Sequence, residues 1–185
     1  MRRNKGGIGK TGATNPVLAS TKFPGLLALT AHTGAPFTDA EMRGHVSVVD
    51  FVFTRCDTIC PVLSMKMQGL QKATAKVGDR IKLVSFSVDP EHDTPAVLAA
   101  YAQRFDADPT RWAFVTGDST VVRRTIEQGL MVGYDTVGTL ASGAPDIKHS
   151  GHMILVDRDG HIRGVYDSND PQRLQDLQHH ARWLS

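Results

Sequence analysis

The chain has two cysteines, Cys56 and Cys60, in the stretch Arg55-Cys56-Asp57-Thr58-Ile59-Cys60-Pro61. A thiolate is both a soft metal ligand and a redox nucleophile. Residues four apart on a helical turn share one face. At a helix start, unsatisfied N–H groups and the positive end of the helix dipole favour thiolate over thiol. Two thiolates placed so select Cu(I), or Zn, over hard ions. The same spacing puts the Cα atoms about 6 Å apart, within disulfide reach. The plainer reading is a pair of buried structural cysteines. Their position at a helix start, outside any core stripe, argues against it.

The elements that hold this pair are legible on both sides. Val46 to Phe53 is almost unbroken apolar, as in a strand covered on both faces. After Pro61, apolar residues at Leu63, Met67, Leu70 and Val77 predict a helix over Pro61–Val77, ending at Gly78. The thiols therefore stand where a buried strand hands over to a helix, a common place for sites in open α/β sheets. Met65 and Met67 follow at helical spacing and read as core residues.

The rest of the chain follows in order. Met1 to Ser20 is rich in Gly, Lys, Thr and Asn. Residues 1–22 read as a flexible leader, and 23–185 as one domain. Within the leader, Lys5-Gly-Gly-Ile-Gly-Lys10-Thr11 spells a variant P-loop, but only four residues precede it. No buried strand can lead into it, so nucleotide binding is set aside. Leu26–Thr30 and Ala35–Thr38 predict a short two-stranded piece, and Asp39–Arg43 a helical turn. Ile81–Val88 is the next strand, completing a βαβ unit. Asp93-Thr94-Pro95 starts a helix with Leu98, Tyr101, Ala102 and Phe105 inward. Trp112–Val115 is a strand, and Asp118 or Ser119 caps a helix through Gln128. Leu130–Tyr134 reads as a weak strand and Gly138–Lys148 as a loop. Met153–Val156 and His161–Tyr166 flank Asp157-Arg-Asp-Gly160 as a hairpin. Asp170-Pro171 opens a last helix with Leu174, Leu177, Ala181 and Leu184 inward.

Net charge is +2 with 22% charged residues, and no basic-aromatic cluster suggests nucleic acid binding. No run approaches the ~18 apolar residues of a membrane span. The order βαβ, then α, then ββα is that of an α/β, three-layer thioredoxin-like fold. It carries an N-terminal β extension and an inserted helix, and both cysteines fall where that fold keeps its active site.

Four stretches resemble the Sco/SenC family. Phe51-Val-Phe-Thr-Arg-Cys56-Asp-Thr-Ile-Cys60-Pro61 resembles its F-x-F-T-x-C-x-x-x-C-P, and Ser85-Phe-Ser-Val-Asp89-Pro-Glu-His-Asp-Thr-Pro95 its S-V-D-P-x-x-D-T-P. Trp112–Gly117 is similar to its short strand ending in T-G. His149-Ser150 before Ile154-Leu-Val-Asp157 is similar to its H-S segment. The resemblance spans roughly Phe23 to Leu184. It implies copper as Cu(I) or Cu(II), held by Cys56, Cys60 and His149, with the two cysteines also a redox-active pair. It implies a metallochaperone for the copper centre of cytochrome c oxidase, with thiol–disulfide reductase activity as a further capacity. The partner implied is the oxidase's copper-bearing subunit or another copper or thiol protein. The place implied is the periplasmic side of a bacterial inner membrane, with a membrane tether. One position departs: many members carry Asp before this His, where this chain has Lys148. A carboxylate there can orient the imidazole; a lysine cannot, and its charge disfavours a nearby cation.

Among the other histidines, His32 and His45 sit in turns and are expected to be solvated. His92 reads as surface, and His161, His179 and His180 as strand or helix residues without ligand partners. His152, three residues after His149, is the one further ligand candidate. Asp89 reads as a turn or cap residue. The competing function is a thiol–disulfide oxidoreductase or thiol peroxidase without copper. Against it, thioredoxin-type enzymes use C-x-x-C with a proline just before the final hairpin, where this chain has C-x-x-x-C and a histidine. Peroxiredoxins need Thr three residues before the reactive Cys, and Phe53 and Asp57 stand there.

Overall fold

A computed structural model describes residues 28–130, 135–139, 145–148 and 151–185 of the chain. Seven strands form one mixed sheet in the order β2-β1-β5-β4-β3-β8-β9. Between β4 and β8 runs β3 (Val46–Val52), an interior strand whose seven residues are all buried. That burial is the cause of its largely apolar composition, broken only by Ser47 and Asp50, since a strand covered on both faces has no solvent side. β4 (Ile81–Ser87) lies parallel to β3 in the register Val46↔Ile81 to Val52↔Ser87. β5 (Trp112–Thr116) lies parallel to β4, and β8 (His152–Val156) and β9 (Ile162–Asp167) complete the other side antiparallel. The N-terminal extension is β1 (Leu29–Ala31) with β2 (Pro36–Phe37), paired to the β5 edge. The arrangement is thioredoxin-like.

Between β3 and β4 runs α1 (Ile59–Ala73), which buries Cys60, Leu63, Met67 and Leu70. It starts two residues earlier than the periodicity predicts and stops four earlier. Thr74 caps it, its hydroxyl donating to the Leu70 carbonyl at 2.7 Å. A 3-10 segment, Ala75–Arg80, then carries the chain to β4 through Gly78, at φ +62°. The inserted helix is α2 (Pro95–Gln103) between β4 and β5, with Leu98, Tyr101 and Ala102 buried. The last helix is α4 (Pro171–Leu184), capped by Asp170. Three side-chain contacts tie these helices to their surroundings: the Ser64 and Tyr101 hydroxyls meet at 3.0 Å, Lys66 Nζ donates to the Ser168 carbonyl, and Arg182 Nη2 to that of Ala73.

The region after β5 departs from expectation. The helix capped by Asp118 is α3 (Ser119–Arg124), and it continues as a π-helical turn, Thr125–Gly129. Leu130 is a buried residue closing that turn, with its N–H shared between the Thr125 and Ile126 carbonyls; it does not start a strand. Positions 131–134 lie outside the described residues. β6 (Asp135–Thr139) and β7 (Pro145–Lys148) form a separate two-stranded sheet, with β7 and the end of β6 inside the stretch Gly138–Lys148 that reads as loop. Gly138 and Pro145 mask the β-branched residues that make it strand. Residues 1–22, expected as a leader, also lie outside the described residues, as do Phe23–Leu27 and His149.

Candidate metal and thiol centre

The two thiols come together at the C-terminal end of β3. Cys56 sits in the turn after the strand, its N–H bonded to the Phe53 carbonyl at 3.1 Å. Cys60 is the second residue of α1. Both are buried, Cys60 completely, and both are present as thiols. The Cys60 N–H, one of the unsatisfied donors of the helix start, points at the Cys56 sulfur at 3.4 Å. The Thr58 hydroxyl lies 3.6 Å from the same sulfur.

This geometry makes the two sulfurs unequal. The hydrogen bond between Cys60 and Cys56 raises the Cys60 thiol pKa, and burial adds to it. The charge on Cys56 pushes the same way, and so does that of Asp50; a backbone hydrogen bond from Phe53 opposes them. Cys60 keeps its proton while Cys56, facing the helix amide, better accommodates negative charge. Beneath the pair lies a buried polar layer. Ser85 donates to Asp50 at 2.5 Å and accepts from Trp112 Nε1 at 3.0 Å. Desolvation pushes the Tyr101 hydroxyl up, and Ser64 pulls it down.

Asp89 is more than a turn residue. Its carboxylate takes Arg55 Nε at 3.0 Å and Nη2 at 2.7 Å, tying the residue before Cys56 to the end of β4. Asp93, which the sequence offers only as part of a helix start, is fully buried and bonds Thr54 and Ser87. The S-V-D-P-type stretch Ser85–Pro95 is the signal that could have found it, because it places two carboxylates, Asp89 and Asp93, at one strand end.

The other residues sort differently. Met67 is core, but Met65 is 55% exposed on the outer face of α1, contrary to its expected core role. The reason is phase: Met65 is two residues, about 200° of helix rotation, from each of the buried Leu63 and Met67, so it faces away. His32 is buried, not solvated, because its Nδ1 accepts the Phe114 N–H at 3.1 Å. His45 is half-buried, with Nδ1 2.8 Å from the Asp79 carbonyl oxygen. Among the described residues, the group of three donors close enough to share a metal ion is Asp157, Asp159 and His161 on the β8–β9 turn. His152 does not complete such a group with the thiols. The segment entering β8 nonetheless reaches the site: a Cβ on Gly151 would lie 3.3 Å from Ile59 Cδ1 and 3.5 Å from Ser168 Oγ.

The family model for SCO1/SenC matches residues 18–182. The chain belongs to the SCO1/SenC family. A SCO1 protein homolog from Bacillus subtilis is 30% identical over 137 residues, covering 74% of this chain and 69% of its own. A SCO1/SenC family lipoprotein from Bacillus anthracis has a TM-score of 0.75 at 29% identity, over 92% of this chain and 96% of its own. Bradyrhizobium japonicum ScoI, solved with copper bound, has the same fold, with a TM-score of 0.75 at 24% identity over 91% and 100%. Among the described residues, no helix is long and apolar enough to cross a membrane.

Proposed function

We propose that this SCO1/SenC chain binds copper and serves assembly of the copper centre of cytochrome c oxidase, by delivering the metal or by keeping the recipient's thiols reduced. The observation that carries it is the convergence of the Cys60 N–H and thiol on the Cys56 sulfur in a buried site. Two sulfurs so placed suit a soft ion. Cys56, Cys60 and His149 hold the copper cargo. His149 is two residues before Gly151, and Gly151 itself stands beside Ile59 at the start of α1. The recipient is the oxidase's copper-bearing subunit or another copper or thiol protein. The domain works on the periplasmic side of a bacterial inner membrane, tethered to it; the lipoprotein relative supports the tether.

The hydrogen-bonded thiol pair alone also fits a thiol–disulfide oxidoreductase, which needs thiolates and access but no imidazole. His149→Ala separates the readings. Cu(I) should stay bound with modest weakening, since two thiolates suffice. Cu(II), harder, should lose at least about tenfold in affinity, read by absorption titration. Disulfide reduction should be unchanged. Full Cu(II) binding by the variant removes His149 from the site. Wild-type protein that binds no copper yet turns over disulfides makes it an oxidoreductase.

A further inference from the structure

Behind the thiol turn lies a polar network built on one carboxylate. Asp93 stands between β4 and α2 with 0% exposure. It is not the cap of α2, because Thr94 takes that role and its hydroxyl accepts from the Val97 N–H. The Asp93 carboxylate faces back instead. The Thr54 N–H donates to both its oxygens, at 3.3 and 3.2 Å. The Thr54 hydroxyl donates to Oδ1 at 2.5 Å and the Ser87 hydroxyl to Oδ2 at 2.6 Å. Ser87 Oγ accepts the Asp89 N–H at 3.1 Å, and Asp89 clamps Arg55. A continuous chain, Thr54–Asp93–Ser87–Asp89–Arg55, thus fixes the two residues immediately before Cys56 to the end of β4.

A carboxylate fully removed from water is costly unless its oxygens are hydrogen-bonded. Here both are, and these donors come from the thiol turn and from the strand end beside it. Cys60 is held separately, by the first turn of α1. The placing of one sulfur against the other therefore depends on the Thr54-Arg55-Cys56 turn.

We propose that Asp93 is the positioning residue for Cys56: through Thr54, and through Ser87 and Asp89 to Arg55, it sets how the Cys56 sulfur meets Cys60. This rests on Cys56 and Cys60 being the working pair, and assigns what aligns them. Alignment governs how readily the pair closes. In exchange with glutathione disulfide, the two thiols form one S–S bond and yield two glutathione thiols; the protein is oxidised and the glutathione disulfide reduced. The equilibrium constant rises with the effective concentration of one thiol at the other.

The test equilibrates the purified chain in glutathione buffers, traps thiols by alkylation and counts them by mass. Asp93→Asn keeps the shape but replaces an accepting oxygen with a donor that faces other donors. Its disulfide constant should fall about tenfold, which is about 30 mV for a two-electron couple. Thr54→Val, which loses one hydroxyl, should shift less in the same direction. Thr54→Ser, which keeps both donors, should match wild type. Asp157→Asn is the stability control. Asp157 holds the β8–β9 turn by accepting the N–H groups of Asp159 and His161. That variant should lower the melting temperature and leave the constant alone. If Asp93→Asn and Thr54→Val both keep the wild-type constant, or if Asp157→Asn moves it as far, Asp93 is a structural cap and the proposal is overturned. Should Asp93→Asn not fold, Thr54→Val decides in the same way. Wild-type protein that binds no copper but shows the Asp93 dependence defeats the copper reading and leaves the positioning role standing.

Discussion

The inequality of the two sulfurs is a residue-scale property with a direct consequence. Cys56 is 6% exposed and receives the helix amide, whereas Cys60 is wholly buried and its pKa is raised. Thiolate, not thiol, reacts with alkylating agents. Limited treatment with iodoacetamide at about pH 8 should therefore label Cys56 first, by at least about tenfold on peptide mapping. Cys60→Ser should leave the rate of Cys56 labelling within a few fold. Equal labelling of both residues would contradict the assigned donor and acceptor. That the two thiols meet was open to sequence reading, because cysteines four apart at a strand–helix junction share one face. Their inequality was not, since it depends on which sulfur faces the Cys60 N–H.

At the scale of elements, strong periodicity translated well and weak periodicity did not. β3, β4, α2, α4 and the β8–β9 hairpin match their expected positions to within a few residues. The β6–β7 pair was hidden by Gly138 and Pro145, and the end of α1 by Val77, which packs on the core from a 3-10 segment and not from the helix. The burial of His32 was hidden because it comes from a long-range strand pairing. β1 docks on β5, and the hairpin turn carries His32 onto Phe114, where the two rings stand edge to face. That docking is pH-sensitive. Desolvation lowers the folded pKa of His32 below its ordinary 6.5. The unfolded chain then binds more protons over the window from about 6.5 down to the lowered value, so stability falls as pH drops through it. His180, also lowered by burial, acts with the same sign. Urea unfolding should give a smaller free energy at about pH 5.5 than at about pH 7.5. His32→Asn supplies an acceptor for the Phe114 N–H without titrating, and should show a shallower loss. An unchanged slope would mean that His32 is not the group responsible.

The whole molecule gathers its chemistry at one end of the sheet. The C-terminal ends of β3 and β4 deliver the thiols, Asp89 and Asp93, while the β8–β9 turn with Asp157 lies beyond the opposite end of β3, whose Ser47 pairs with Val156. The thiol end joins segments far apart in sequence: the first turn of α1, the β4–α2 loop and the entry to β8 at Gly151. Copper held by Cys56, Cys60 and His149 would tie the first and last of these together. A ligand that binds only the folded chain stabilises it by RT ln(1 + [L]/Kd), about 4 kcal/mol at a thousandfold excess over Kd. For a domain of this size that is on the order of 10 °C in melting temperature. Copper-loaded protein should melt higher by about that amount at such an excess. Cys56→Ser with Cys60→Ser should abolish the shift, while His149→Ala should remove most of it for Cu(II) and little of it for Cu(I), following the hardness of the ion. A rise that survives loss of both cysteines would place the metal elsewhere, with Asp157, Asp159 and His161 the first alternative among the described residues.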